Sequence, residues 1–281
     1  MTAAITTAAG AATDGGRRRV NEDAALASSP CFLVADGMGG HDAGDIASAA
    51  AVGAFAHFAG RDFLTVDEVR DAVEEVRARL DRFSASHESG AGTTLTGAVV
   101  AEVHGEGYWM ILNVGDSRTY RLSGGRLEQL TVDHSVVQEM VDAGTLAEES
   151  ARTDARRHIV TRALGAGNAE SVDMWMFPAH VGDRILACSD GVTGELDDRV
   201  IADVLRTTPD PRQAAAELVR RAIAAGGRDN ATAIVVDARH VAHAPRIAAA
   251  RDDEIDVATI ERSGSVASDT IPRSGLPGSD S

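Results

Sequence analysis

An α+β fold, with antiparallel sheets and helices on the outside, is the class this sequence predicts. Apolar runs of strand length, such as CFLVA, YWMILNV and ATAIVVDA, come in groups, and stretches with one apolar helical face fall between the groups. The turn signals between the runs are Gly, Ser and Asp, as hairpins and caps require.

Taken in order, residues 1–12 are small and uncharged and read as a flexible end. Residues 31–36 read as a buried strand that stops at Asp36, followed by a glycine loop and an Ala-rich helix over about 43–59. VDEVRDAVEEVRARLDRF places Val69, Val73, Val76 and Leu80 on one helical face and solvates the other. TTLTGAVVAEV, YWMILNV, RTYRL and RLEQL read as successive strands, with Ser-Gly-Gly at 123–125 as a hairpin turn. Residues 133–165 look irregular to helical, with VVQEMVDAG the clearest helix. SVDMWMF and DRILACS return to strand, helices follow near 198–206 and 211–225, and ATAIVVDA closes the pattern. From 241 to 281 the chain is rich in Ser, Thr, Gly, Pro and charge and reads as a disordered polar tail, leaving one domain over 13–240.

Composition excludes several functions. The net charge of -16 opposes nucleic-acid binding and anionic membrane surfaces. All 27 basic residues are arginine. Without lysine there is no P-loop, no kinase strand lysine and no Schiff base. Phosphate chemistry here must use metals and arginine. Cys31 and Cys188 sit in apolar runs and read as packed core thiols. Each fails as a phosphatase nucleophile, because the position six residues on is Gly37 or Gly194 where an arginine is needed. The first ten residues lack a basic start and an apolar core, and no stretch reaches the ~18 apolar residues of a membrane span, so a cytoplasmic protein is expected.

Asp36, Asp116 and Asp190 each follow an apolar strand and precede Gly or Ser, and Asp229 opens a strand in RDNATAIVV. One such aspartate is usually a turn former or a helix cap. Four of them, if the strand ends converge, make a cage of hard oxygen ligands suited to Mg²⁺ or Mn²⁺. In RRRVNEDA three arginines stand just ahead of Glu22 and Asp23, either as a solvated charge cluster or, if held near a metal site, as a bidentate fork for a phosphate dianion.

The ordered series RVNEDA, VADGMGGH, GTTL, NVGDSR, DHS, TRALG, SDG and RDNAT resembles the bacterial metal-dependent serine/threonine protein phosphatases of type 2C, the PPM family. The resemblance implies a sandwich of two antiparallel β-sheets flanked by α-helices, with two Mn²⁺ or Mg²⁺ ions at one edge. Carried over by motif, Asp36 bridges the two ions and Gly37 offers its carbonyl oxygen to one of them. Asp190 and Asp229 complete the first ion's shell, Glu22 supports the second, and Asp116 with Asp190 forms a third, weaker site. Asp23 and Asn230 orient ligands and waters. Arg18, four residues before Glu22, is assigned to the phosphate, and Arg17 and Arg19 receive no role.

The implied reaction is direct attack of a metal-bridging hydroxide on phosphoserine or phosphothreonine, with no phosphoenzyme. Many relatives have histidine directly after the Asp-Gly pair. This chain has Met38 there and His41 later, so His41 is either the general acid or a loop histidine that steadies the glycine turn, and metal-bound water is the other candidate donor. The segment from about 136 to 165 occupies the family's flap position.

Implied partners are phosphorylated proteins and a Ser/Thr protein kinase with its substrates. No nucleic acid or membrane is expected, and the expected state is a monomer. Two alternatives are a metal-binding regulatory domain without catalysis and a phosphatase dedicated to one anti-sigma-factor antagonist. An aspartyl-phosphate mechanism lacks its DxDx[TV] signature, since Met38 stands two positions after Asp36.

Overall fold

The apolar runs pair into two antiparallel sheets. The computed structural model describes residues 3–39, 43–86, 90–166 and 171–243. One sheet runs β1 (Ile5–Asp14), β11 (Ala231–Val241), β10 (Arg184–Cys188), β7 (Arg118–Ser123) and β8 (Arg126–Gln129). The other runs β2 (Asp23–Ser28), β3 (Cys31–Gly39), β5 (Leu95–Val103), β6 (Glu106–Val114) and β9 (Asp173–Pro178), with β4 (Ala91–Thr93) paired to the end of β3.

Between the sheets, Phe32, Val34, Val100, Trp109 and Ile111 of the second sheet meet Ile185, Ala187, Ile234 and Val236 of the first. Strands buried on both faces explain why CFLVA and ATAIVVDA lack polar alternation. The helices α1 (Ala43–Gly53) and α2 (Val66–Ser86) cover the outer face of the second sheet through Ala47, Ala51, Val69, Val73, Val76 and Leu80. Helices α6 (Asp198–Thr207) and α7 (Pro211–Ala225) cover the first sheet through Ile201, Leu205, Leu218 and Ala222. Asp197 and Asp210 cap these two helices by accepting from the N–H of Val200 and Gln213. The short helices α3 (Val136–Asp142), α4 (Glu148–Ala151) and α5 (Asp190–Thr193) complete the fold. Burial pushes the Cys31 and Cys188 thiols up to about 12, which makes them inert core groups.

Three expectations need correction. Residues 1–12 are not a loose end, because β1 begins at Ile5 and pairs along its whole length with β11, from Ile5 opposite Val241 to Asp14 opposite Ala231. Its ITTAAGAATD sequence carries little apolar signal, and the strand is held by ladder hydrogen bonds and by packing against α7. The tail was expected from 241, yet Val241 is the last residue of β11 and is buried. The remainder of that tail, from 244 onward, lies outside the described residues. The Ala-rich helix also ends earlier than expected, at Gly53, and a single 3₁₀ turn follows at Ala56–Phe58.

Candidate active site

The strand ends that carry the aspartates converge at one edge of the sandwich. Asp23 opens β2 directly opposite Asp36 on β3. Glu22 precedes β2, Asp116 sits in the turn between β6 and β7, Asp190 follows β10 at the start of α5, and Asp229 and Asn230 lead into β11. They surround a cleft of about 550 Å³ lined by Arg18, Glu22, Asp36, Gly37, Asp116, Asp190, Asp229 and Asn230 together with flap residues Arg157, His158 and Val160. Asp23, opposite Asp36, is not part of this lining. His41 lies outside the described residues.

Each backbone here is pinned. The Asp36 N–H donates to Thr94 Oγ1 at 2.9 Å and its carbonyl accepts from Thr93 Oγ1 at 2.9 Å, which gives the GTTL motif a task. Gly37 is a glycine for a steric reason: a Cβ there would strike the Gly44 carbonyl and come within 2.6 Å of the Glu22 carbonyl oxygen. Asn230 ties the arginine turn to the acidic pair. Its Oδ1 accepts from Glu22 N–H at 2.9 Å, and its Nδ2 donates to the Gly15 and Val20 carbonyls at 3.0 Å each. Asp23 Oδ2 accepts from Ser189 Oγ at 2.8 Å.

The electrostatics are those of anions without enough counter-charge. Burial, then repulsion from Asp23, Asp190, Asp116 and Asp229, holds Asp36 well above the usual carboxylate range. Burial followed by Asp190 pushes Asp116 up to about 7, and burial pushes Asp23 up to about 6 against its hydroxyl hydrogen bonds. Glu22 is raised by burial and then by Asp45.

Two of the expected ligands are engaged by the chain's own basic side chains. Arg18 Nη2 donates to Asp229 Oδ2 at 2.6 Å, and His158 Nδ1 lies 3.5 Å from Asp190 Oδ2, a contact that raises the His158 pKa. Among the described residues no three His, Cys, Asp or Glu side chains are gathered onto one point. The residues nevertheless fit divalent cations. The donors are all hard oxygens, the carboxylates repel one another, and buried Asp23 Oδ1 has no hydrogen-bond partner among the described residues.

A stability test follows. Asp23, Asp36 and Asp116 have raised pKa values in the folded state, so the folded protein binds more protons than the unfolded chain between about pH 4 and about pH 7. Their contribution is therefore present at the acid end and lost as pH rises through the folded values. A bound cation cancels that repulsion. Mn²⁺ should raise the melting temperature more at about pH 7.5 than at about pH 5. Equal gains in thermal melts at the two pH values would contradict this electrostatic picture.

The sequence reading missed His158, Arg157, Glu195 and Arg228. Glu195 and Arg228 both line the cleft and pair at 2.8 Å, and Gly226 leaves room for the Glu195 carboxylate. The run ARRHIV signals a basic patch in the flap, but which of its members turns inward depends on tertiary pairing.

A cleft of strand-end carboxylates beside an arginine fork, on a sandwich of two sheets flanked by helices, defines a metal-dependent phosphoester hydrolase. The profile of the family described as Protein phosphatase 2C matches residues 17–258. The chain is 36% identical over 240 residues to the serine/threonine phosphatase stp of Listeria welshimeri, covering 80% of this chain and 93% of that protein. It is 37% identical over 229 residues to the serine/threonine protein phosphatase PstP of Mycobacterium tuberculosis, covering 78% of this chain and 42% of that one. The crystal structure of M. tuberculosis PstP/Ppp superposes with a TM-score of 0.76 at 34% identity over 83% of this chain and 99% of that one. A structure of the PstP catalytic domain in complex with two manganese ions gives 0.73 at 34% identity, over 82% and 97%. The chain belongs to the protein phosphatase 2C family and is a protein serine/threonine phosphatase. The alternative of a regulatory domain without catalysis is set aside.

Proposed function

We propose that this cleft hydrolyses phosphoserine and phosphothreonine in proteins with two divalent cations, Mn²⁺ or Mg²⁺, and a third held more weakly. The observation that carries the reading is the convergence of buried, mutually repelling carboxylates from both sheets around one cleft. Asp36, the Gly37 carbonyl, Asp190 and Asp229 would hold the first ion. Asp36 and Glu22 would hold the second, and Asp116 with Asp190 the third. When bound, the ions supply Lewis acidity and the positive charge that neutralises the phosphate dianion.

The chain's own residues do the rest. Arg18 presents its fork to the non-bridging phosphate oxygens once Asp229 turns to a cation. Asn230 holds Glu22 and the arginine turn in one register, and Asp23, through Ser189, fixes the start of β2 against the loop that bears Asp190. An aspartyl-phosphate route would need the DxDx[TV] signature, and Met38 stands where its second aspartate belongs.

The departing seryl or threonyl alkoxide needs a proton, and the candidates are His41 by sequence and His158 by its place in the cleft. Purified protein should release phosphate from a phosphothreonine peptide; no release from several peptides would overturn the reading. His41→Ala and His158→Ala should be compared on that peptide and on an aryl phosphate. The proton donor is the histidine whose loss costs the alkyl ester about tenfold more than the aryl ester.

Phosphorylated proteins are the substrates. A Ser/Thr kinase acting on the same proteins, a monomeric state and a cytoplasmic location belong to this proposal. Among the described residues no helix is long and apolar enough to cross a membrane.

A further inference from the structure

The histidine of the DHS motif has no part in the chemistry above, yet its side chain is only 6% exposed and both ring nitrogens are engaged. His134 Nδ1 accepts from the backbone N–H of Gly115 at 3.1 Å, and Nε2 lies 3.2 Å from Asp173 Oδ2. A backbone N–H only donates, so Nδ1 carries the lone pair. The ring proton therefore sits on Nε2 and is donated to Asp173.

The His134 backbone adds two further bonds: its N–H donates to the Gly115 carbonyl at 2.9 Å and its own carbonyl accepts from Thr161 N–H at 2.8 Å. Asn113 Nδ2 donates to the same Gly115 carbonyl at 3.0 Å. Gly115 itself has a φ of +109°, and a Cβ there would lie 2.5 Å from Thr94 Cγ2. Sterics hold this peptide on one side and His134 holds it on the other. The next residue is Asp116.

The same histidine begins the pairing that returns the flap to the sheet. After the Thr161 bond, the bridge of Ser135 with Val160 and the bond from Val136 N–H to the Ile159 carbonyl at 2.9 Å carry it to the residues beside His158. The turn that presents Asp116 and the flap turn that carries His158 thus share one anchor.

We propose that His134 is a positioning residue, which aims Asp116 into the cleft by fixing the Gly115 peptide and locks that aim to the flap segment bearing His158. This rests on the reading of Asp116 as a ligand of the third, weaker cation. His134 touches neither substrate nor ion. Its effect is on how well Asp116 is presented, so it should appear in weak-site cation affinity separately from the tight sites.

The test is Mn²⁺ binding to the full chain, followed by the electron paramagnetic resonance of free Mn²⁺. Asn places an oxygen near the position of Nδ1 and preserves the acceptor for Gly115, whereas Gln reaches the position of Nε2 and leaves that N–H unmet. His134→Asn should keep the weaker class within about twofold, and His134→Gln should weaken it about tenfold or more, with the tight class alike in both. Equal weakening in the two variants, or none in His134→Gln, overturns the proposal. Asp116→Asn marks the weaker class. If that class survives in Asp116→Asn, the reading of Asp116 fails and takes the proposal with it. If it disappears there but persists in His134→Gln, the positioning role alone fails. Nitrogen-15 spectra of the folded wild-type chain give a check that needs no variant: the proton should reside on Nε2 of His134, and a proton on Nδ1 overturns the proposal.

Discussion

Asp36→Asn should lower kcat on a phosphothreonine peptide by about a thousandfold or more, some 4 kcal/mol of barrier, and at the same time raise the melting temperature of the metal-free protein. The two effects have one cause. Asp36 is held well above the usual carboxylate range by burial and by Asp23, Asp190, Asp116 and Asp229, so ionising it is a cost to the metal-free fold. The isosteric amide removes that cost and keeps the backbone bonds to Thr93 and Thr94. On the proposed reading it also removes the anion that both tight cation sites would share, so Mn²⁺ should stabilise the variant less than the wild type. Thermal melts with and without Mn²⁺, beside the rate, check all three. A variant that is inactive and also less stable without metal would mean that Asp36 serves the fold.

Arg18→Ala should lower kcat/KM by about a hundredfold, near 2.7 kcal/mol, because on the proposed reading the phosphate loses a bidentate, charge-assisted partner. Alkyl and aryl phosphates should suffer alike, which separates this residue from the proton donor. Arg18 is also the partner of Asp229 at 2.6 Å, with side chains 56% and 37% exposed. Its removal should tighten Mn²⁺ binding, though only by a few-fold, since an exposed pair is screened by water. Arg18→Lys should recover only part of the rate, because the ammonium is a point charge without the planar fork. Mn²⁺ titrations and peptide kinetics on the three proteins read these outcomes. Weaker Mn²⁺ binding in Arg18→Ala would contradict the ion-pair account.

The sheets were legible where strands are buried on both faces, since CFLVA, YWMILNV and ATAIVVDA announce themselves by unbroken apolar runs. β1 was not legible, because Thr and Ala carry little hydrophobic signal and its stability comes from pairing with a strand more than two hundred residues away. The carboxylates of the site were legible one by one as strand-end aspartates, and their shared purpose came from the order of the motifs. Their electrostatics were not legible. The Arg18–Asp229 pair spans 211 residues, and Arg228–Glu195 joins two loops that meet only when β10 and β11 are neighbours. Likewise DHS was legible as a mark of family, while the bond its histidine makes to Gly115 shows only in the folded chain.

The central claim, that these carboxylates act by holding divalent cations, is tested most directly by phosphate release from a phosphothreonine peptide as Mn²⁺ is removed and restored. Purified wild-type protein should fall to the uncatalysed background with a chelator and recover on adding Mn²⁺ in excess. Release that continues undiminished after all divalent metal has been removed would contradict the account.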